Sequence, residues 1–136
     1  MCSAALDAGV EVWSDEFALV DAAGRVRGWP RPIRVRTDGG VVRRVLPAPR
    51  TEAPVEVAAV ASVVFDRSAV RTELAECGRL DAMSDVLMNT VCARSRPVES
   101  FEAARAVTSD AVLLRGTRAD ATEALHVLLE RLARSG

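Results

Sequence analysis

The sequence contains no lysine and no tyrosine, and all eighteen of its basic residues are arginine. A glycine-rich phosphate loop uses a lysine to reach the terminal phosphates of a nucleotide, and no residue of this chain can play that part. Schiff-base chemistry and a lysine general base are excluded for the same reason. The absence of lysine therefore excludes several catalytic mechanisms.

Cysteine and histidine are scarce. The three cysteines, Cys2, Cys77 and Cys92, lie far apart without a Cys-x-x-Cys pair, and His126 is the one histidine. A structural zinc site needs about four such ligands close in space. An odd number of scattered cysteines does not indicate a disulfide framework. We therefore expect free thiols, no metal cage and a cytoplasmic protein.

Long apolar runs and an excess of charge are also missing. The first twenty residues have neither a basic start nor a long apolar run, so we expect no signal peptide. No stretch approaches the roughly 20 apolar residues of a membrane span. The formal net charge of −1 gives no electrostatic reason to expect nucleic acid or an anionic membrane as a partner.

The 136 residues suit one compact domain with its own core. Strand-like runs dominate residues 1–78, which also contain an acidic motif, and helical periodicity dominates residues 79–136. We predict an α/β fold: a single domain over residues 1–136, with a mixed β-sheet in the N-terminal half and a helix–helix–strand–helix C-terminal half. The predicted strands are 10–13, 17–20, 25–29, 33–37, 41–46, 55–65 and 111–115; the predicted helices are 2–8, 80–91, 97–107 and 117–132.

Turn signals divide the strands of the N-terminal half. The "DAAG" segment, residues 21–24, predicts a hairpin, and "DGG", residues 38–40, is a strong turn signal that leads into residues 41–46. Pro30 and Pro32 exclude a central strand before Ile33 and indicate an edge strand or an extended crossing. The valine-rich run at 55–65 favours a strand covered on both faces.

The helical half has its own signals. Apolar residues at i, i+3, i+7, i+8 and i+11 predict one buried helix face, formed by Leu80, Met83, Leu87, Met88 and Val91. Pro97 suits a first helical turn. Thr117 to Asp120 resembles a capping box before the last helix.

Asp15 and Glu16 are the leading candidates for chemistry. Carboxylate oxygens suit Mg²⁺, which usually takes one or two of them together with phosphate and water. One carboxylate could instead accept a proton from an attacking hydroxyl. The alternative is that Ser-Asp-Glu is only a polar turn or a helix start. The residues alone leave both interpretations open.

The remaining polar candidates have simpler alternatives. The arginines at 31, 34, 36, 43 and 44 could grip phosphate or an acidic partner, or they could form the solvated face of a strand. His126 is expected at the surface beside a leucine-rich helix face, and Cys77 and Cys92 are expected to pack in the core. No nucleophile–histidine–acid arrangement is visible.

Four segments, taken in order, resemble the C-terminal part of HPr-kinase-like proteins, a group of bacterial P-loop kinases related in core fold to phosphoenolpyruvate carboxykinase. They are "AGVEVWSDEFALVDAAGRV", "GWPRPIRVR", "VAAVASVVFDR" and "MSDVLMNTV" with the following "RPVESFEAARAVTSDAVLLRGTRADATEALHVL". The first matches the family's strand, acidic pair and hairpin, and the second its Pro-Arg-Pro crossing. The last two match the core strand and the closing helices.

The resemblance implies an ATP-dependent kinase that uses Mg²⁺ and phosphorylates a seryl side chain of a protein or peptide. It implies that Asp15 assists proton transfer or binds the metal, with Glu16 as its metal partner in place of the family's second aspartate. Relatives often assemble, so a homo-oligomer is expected.

The same resemblance implies an incomplete P-loop kinase-like core. The family's glycine-rich loop lies about 13 residues before the acidic motif, so Met1 would fall just after it. We therefore expect a truncated chain, or one with a late start, that is inactive by itself. The alternative is a non-catalytic binding or scaffold module that kept the kinase-like fold.

Overall fold

The structure is a computed structural model that describes residues 1–29, 31–37 and 39–135. Helices and strands are mixed in an α/β domain, as predicted. The elements in chain order are α1 Cys2–Asp7, β1 Ala18–Val20, β2 Val26–Gly28, β3 Ile33–Thr37, β4 Gly40–Arg44, β5 Ala59–Phe65, β6 Glu73–Glu76, α2 Arg79–Met88, α3 Pro97–Val107, β7 Val112–Arg118 and α4 Ala121–Ser135. The closing helix–helix–strand–helix order is confirmed, and Pro97 does begin its helix.

The strands form three separate sheets instead of the single mixed sheet that we predicted for the N-terminal half. Two are antiparallel hairpins, β1–β2 and β3–β4, and the third has the order β5-β7-β6. In the third sheet β5 runs parallel to β7, and β6 runs antiparallel to it. The sheet is mixed as expected, but its central strand comes from the C-terminal half of the chain.

The first hairpin forms at the predicted "DAAG" turn. The Asp21 carboxylate accepts hydrogen bonds from the backbone N–H groups of Ala23 and Arg25, at 2.9 and 3.0 Å. Gly24 has a φ of 79°, and a Cβ there would lie 2.7 Å from the backbone carbon of Ala106. Glycine is therefore required at this position both for its conformation and for the close approach to α3.

The second hairpin, β3–β4, has one apolar face and one arginine face. Ile33 is 3% exposed and belongs to a buried cluster with Ala5, Val12, Leu46 and Leu125, against which Val35 also packs. Strand β3 begins at Ile33, as the prolines predicted; Pro30 and Asp38, which those predictions also used, lie outside the described residues. Because successive side chains alternate, Arg34 projects from the opposite face.

Helix α1 ends as predicted at Gly9, whose φ is 73°. The N–H of Gly9 donates to the carbonyl of Leu6, and the N–H of Val10 donates to that of Ala5. These two bonds form a Schellman motif, which satisfies carbonyl groups at the helix end. They also direct residues 10–13 away from α1 towards the acidic pair.

Residues 10–13 do not form the strand that we predicted. The Glu11 carboxylate instead accepts hydrogen bonds from the Trp13 indole at 2.6 Å and from the backbone N–H of Arg50 at 2.7 Å. These bonds, that of Arg50 first, lower the pKa of Glu11. The Glu11 side chain therefore connects this segment to the proline-rich residues 47–54.

Strand β5 is shorter and more open than predicted. It spans Ala59–Phe65, within the predicted 55–65, and Val64 and Phe65 are 63% and 51% exposed. The expectation of a strand covered on both faces was wrong. Among the described strands, β5 pairs only with β7 and lies at the edge of its sheet.

The predicted apolar face of α2 was also wrong. Met83 is buried, but Leu80 and Met88 are each 82% exposed and Val91 lies beyond the end of the helix. α2 is only ten residues long, packs on β5, β7 and α3, and buries Ala82 and Met83. Periodicity located the helix but not its packed face.

Helix α4 is capped by Asp120, one turn later than the capping box that we predicted from Thr117. Thr117 lies inside β7. The Asp120 carboxylate accepts hydrogen bonds from the N–H groups of Thr122 and Glu123, at 2.8 and 3.0 Å. Within the described ranges, no helix combines the length and the apolar character needed to cross a membrane.

Candidate functional site

The acidic pair lies in a tight turn that Ser14 organises. The Ser14 hydroxyl accepts a hydrogen bond from the backbone N–H of Phe17 and donates one to the carbonyl of Trp29, both at 3.2 Å. Ser14 therefore closes the turn and attaches it to the end of β2. Asp15 and Glu16 occupy the middle of this turn, and both are exposed.

Asp15 also lies beside the thiol of Cys2. The Cys2 Sγ donates to the carbonyl oxygen of Ser14 at 3.7 Å. The pKa of the Cys2 thiol is raised to about 11, first because the thiol is desolvated and then because of its hydrogen bond to the Asp15 carboxylate and the charge of that group. A raised pKa favours the protonated thiol at neutral pH, and this thiol contacts the acidic turn from α1.

A surface cleft of about 410 Å³ brings the two groups of predicted site residues together. One wall is the acidic turn, and the other is the arginine face of β3–β4 with the segment that precedes it. The lining residues are Ser14, Asp15, Glu16, Trp29, Arg31, Pro32, Arg34 and Arg43. The cleft is therefore mixed in charge, with one more arginine than carboxylate.

One ion pair crosses the cleft. The Arg31 guanidinium lies 4.0 Å from the Glu16 carboxylate, and both side chains are about two-thirds exposed. A pair at this distance and exposure contributes little to stability. The two groups remain available to a ligand that offers better partners.

Arg34 and Arg43 face each other directly across the second hairpin. Directly opposite residues of antiparallel strands project from the same face, with their Cβ atoms about 4.5–5.5 Å apart. Both arginines are exposed, and neither forms an ion pair with any carboxylate among the described residues. Within the part of the chain that the structure describes, the cleft therefore has two adjacent positive charges without an ion-pair partner.

The donor set limits what metal the acidic turn could hold. Asp15 and Glu16 are adjacent and exposed, and the described part of the chain contains no group of three or more histidine, cysteine or acidic side chains arranged to bind an ion. Two carboxylates fit Mg²⁺ that is shared with a phosphorylated substrate and water. They do not fit an ion held by protein ligands alone.

The other predicted candidates lie elsewhere. His126 is exposed on α4, as expected, while Cys92 is exposed and Cys77 half-buried, so their expected core packing was wrong for Cys92. Arg44 turns to the opposite side of the hairpin, where it donates to the Ser3 hydroxyl and the Asp7 carboxylate at 2.9 and 2.8 Å. The side chain of Arg36 lies outside the described residues.

Sequence reasoning missed Trp29 and the pairing of Arg34 with Arg43. The turn signal at 38–40 did not define the register, which follows from Thr37, because Thr37 pairs with Gly40 across a two-residue connection. Such short hairpin loops fix the register of both strands. Trp29 had no comparable signal, since only the folded chain brings it to the Ser14 turn.

No protein-family model matches this chain, and no curated protein or solved structure matches it either.

Proposed function

We propose that this chain supplies the acidic wall of the nucleotide site of an ATP-dependent, HPr-kinase-like serine kinase. The observation that carries the proposal is the cleft of about 410 Å³, in which Asp15 and Glu16 line one wall and arginines line the other. In this assignment Asp15 binds Mg²⁺ or accepts the proton of the seryl hydroxyl, and Glu16 is the metal partner. The acceptor is a serine of a protein or peptide.

Several features support these roles. The carboxylates are held at the tip of a turn that is fixed by Ser14 and open to solvent, so a substrate can reach them. A bound Mg²⁺ would neutralise phosphate charge during transfer. The three cysteines are free, which suits the reducing cytoplasm that we assign to the protein.

The chain does not supply the whole catalytic apparatus of such a kinase. The printed sequence has no lysine and no glycine-rich phosphate loop, and these groups provide most of the electrostatic positioning in P-loop enzymes. We therefore assign to this chain an incomplete P-loop kinase-like core that binds nucleotide and metal. We expect no phosphoryl transfer from this chain alone.

Binding of Mn²⁺–ATP tests the assignment. Electron paramagnetic resonance of Mn²⁺, titrated with protein in the presence of ATP, should show a bound ion that Asp15→Asn and Glu16→Gln each weaken by about tenfold or more. Matched controls are Asp110→Asn and Glu52→Gln, which remove exposed carboxylates away from the cleft. Equal binding by Asp15→Asn and wild type would overturn the role of Asp15.

The second candidate is a non-catalytic binding or scaffold module with the same cleft. The contact between Glu16 and Arg31 supports it, because Glu16 already has a cationic partner, although an exposed pair at 4.0 Å is weak enough for a ligand to displace. Phosphorylation assays separate the two candidates in any longer chain that carries a phosphate loop. Asp15→Asn should abolish transfer in a kinase, whereas a scaffold should keep its affinity for its partner.

A further inference from the structure

The strongest unexplained feature of the cleft is the direct pairing of Arg34 with Arg43. Like charges placed opposite each other on neighbouring strands destabilise a hairpin. Some other arginines of the domain pair with carboxylates: Arg44 bonds Asp7 at 2.8 Å, and Arg115 bonds Asp85 at 2.7 Å. Arg34 and Arg43 have no such carboxylate among the described residues.

The position of the pair concentrates its charge in one place. Both guanidinium groups line the cleft, and Arg31 lines it as well, from the segment just before β3. The opposite face of the hairpin is fixed against the core by Ile33 and Val35. The hairpin therefore cannot turn its arginines away from each other without exposing apolar side chains.

We propose that Arg34 and Arg43, assisted by Arg31, form a binding site for a phosphoryl group. The proposal deepens the function proposed above and in that sense rests on it, because it names the group that the cleft receives. The phosphoryl group is either the polyphosphate of a nucleotide or a phosphorylated serine. Both present the same oxyanion to the arginines.

The chemistry of the arginines selects a phosphoryl group over a carboxylate. A guanidinium offers a planar fork of N–H donors that binds two oxygens at once. A carboxylate has two oxygens and satisfies one fork, whereas a phosphate monoester has three free oxygens and a charge of about −1.5 to −2. Two adjacent forks therefore match a phosphoryl group in both charge and number of acceptors.

Asp15 and Glu16 restrict where in the cleft a phosphoryl group can bind. They line the cleft opposite the arginines and repel an anion that lies close to them. A phosphoryl group is therefore expected nearest to β3–β4, where Arg34 and Arg43 pair, and not at the acidic turn. Removal of the Asp15 charge should strengthen the binding of metal-free anions.

Isothermal titration of the full chain with tripolyphosphate and, separately, with O-phosphoserine tests the site without any metal. Wild type should bind at least one probe, and Arg34→Gln and Arg43→Gln should each weaken that binding by about tenfold. Arg34→Lys should retain part of the affinity, since it keeps the charge but loses the fork. Arg27→Gln, an exposed arginine outside the cleft, is the matched control and should bind as wild type does.

The two probes distinguish the source of the phosphoryl group. Tighter binding of tripolyphosphate supports a nucleotide, and tighter binding of O-phosphoserine supports a phosphorylated acceptor. The site is overturned if wild type binds neither probe, or if Arg34→Gln and Arg43→Gln bind as tightly as wild type. Circular dichroism of each variant confirms that a loss of binding is not a loss of fold.

The same experiments keep this site separate from the proposed kinase role. If the kinase assignment is wrong, Mn²⁺–ATP binding will not depend on Asp15, while tripolyphosphate binding will still depend on Arg34 and Arg43. If the arginine site is wrong, Mn²⁺–ATP binding will depend on Asp15, while tripolyphosphate binding will not depend on Arg34 and Arg43. Asp15→Asn, measured with both ligands, should weaken the first interaction and strengthen the second.

Discussion

Glu123 and Thr72, which lie 51 residues apart in the sequence, are joined by two hydrogen bonds. The Glu123 carboxylate accepts one from the backbone N–H of Thr72 and one from its hydroxyl, both at 2.8 Å. Thr72 is only 8% exposed, just before β6. The contact connects the first turn of α4 to the start of the edge strand.

Substitution of Glu123 by alanine should lower the free energy of unfolding by about 1–3 kcal/mol. The change leaves the buried N–H of Thr72 without its acceptor, and an unsatisfied buried donor costs about that much. Urea unfolding monitored by circular dichroism measures the loss. Glu130→Ala, which removes an exposed carboxylate of the same helix, is the control and should change stability by less than about 1 kcal/mol.

Acid should destabilise the domain in a pH range that is determined by the pKa values of its hydrogen-bonded carboxylates. Hydrogen bonds lower the pKa values of five of them: Glu11, Asp21, Asp66, Asp85 and Asp120. Their stabilisation is complete above the unfolded-state pKa of about 4 and is lost as pH falls through the lower folded-state values. These carboxylates should therefore change the melting temperature little between about pH 5 and 7. At pH values below about 4, the melting temperature should decrease as they become protonated.

Asp120→Asn isolates one of these contributions. Asparagine caps a helix about as well as aspartate does, so the variant should fold, but it has no carboxylate to titrate. The backbone N–H groups of Glu123 and Thr122 lower the pKa of Asp120 in the wild type. The variant should lose less stability than wild type between pH 5 and pH 3; an equal loss in both proteins would contradict the assignment.

Gly116→Ala should destabilise the central sheet. A Cβ at this position in β7 would lie 1.8 Å from the carbonyl oxygen of Glu73 in β6. Backbone cannot yield as the end of a long side chain does, so we expect a loss of about 1–3 kcal/mol. Chemical denaturation measures it, and wild-type stability of the variant would contradict so close an approach of β6 to β7.

Arg43→Gln should stabilise the hairpin while it removes the proposed anion site. Relief of the repulsion from Arg34 is expected to add about 0.2–1 kcal/mol to the free energy of unfolding. Sodium chloride should stabilise wild type more than the variant, because salt screens the repulsion. If the variant is less stable than wild type at low salt, the two guanidinium groups do not repel each other as the register implies.

The open edge at β5 should allow the protein to associate with copies of itself. Residues 59–65 carry no charge and no proline, and unprotected edge strands of this kind pair with other chains. Sedimentation velocity at increasing concentration should show dimers or larger species in wild type. Val64→Lys places a charge on the exposed strand and should shift the population towards monomer; an unchanged distribution would exclude β5 as the interface.

Local chemistry in the sequence was enough to predict several elements. Gly9, Gly24 and Pro97 stand where backbone conformation demands them, so α1, the first hairpin and α3 were placed correctly. The last helix was identified by its leucine periodicity. Its start was misplaced, because Thr117 and Asp120 are both plausible caps and only the extent of β7 decides between them.

Packing could not be predicted in the same way. Valine-rich runs favour buried strands, but whether β5 is covered depends on which elements lie beside it in three dimensions. The prediction of the buried face of α2 was wrong for the same reason. Leu80 and Met88 have the spacing of a buried face, yet both are exposed where α2 packs on β5, β7 and α3. Residues 10–13 have the composition of a strand, but the structure pairs them with no strand in the ranges that it describes.

The sequence by itself determined the α/β class, the first hairpin, the closing helices and the carboxylates and arginines that carry the candidate chemistry. It did so because turns, caps and periodicity depend on residues close together in the chain. Only the tertiary structure decided that the Ser14 turn faces β3–β4, and so placed Asp15 and Glu16 in one cleft with Arg31, Arg34 and Arg43. That proximity depends on contacts between segments distant in sequence, which local chemistry does not encode.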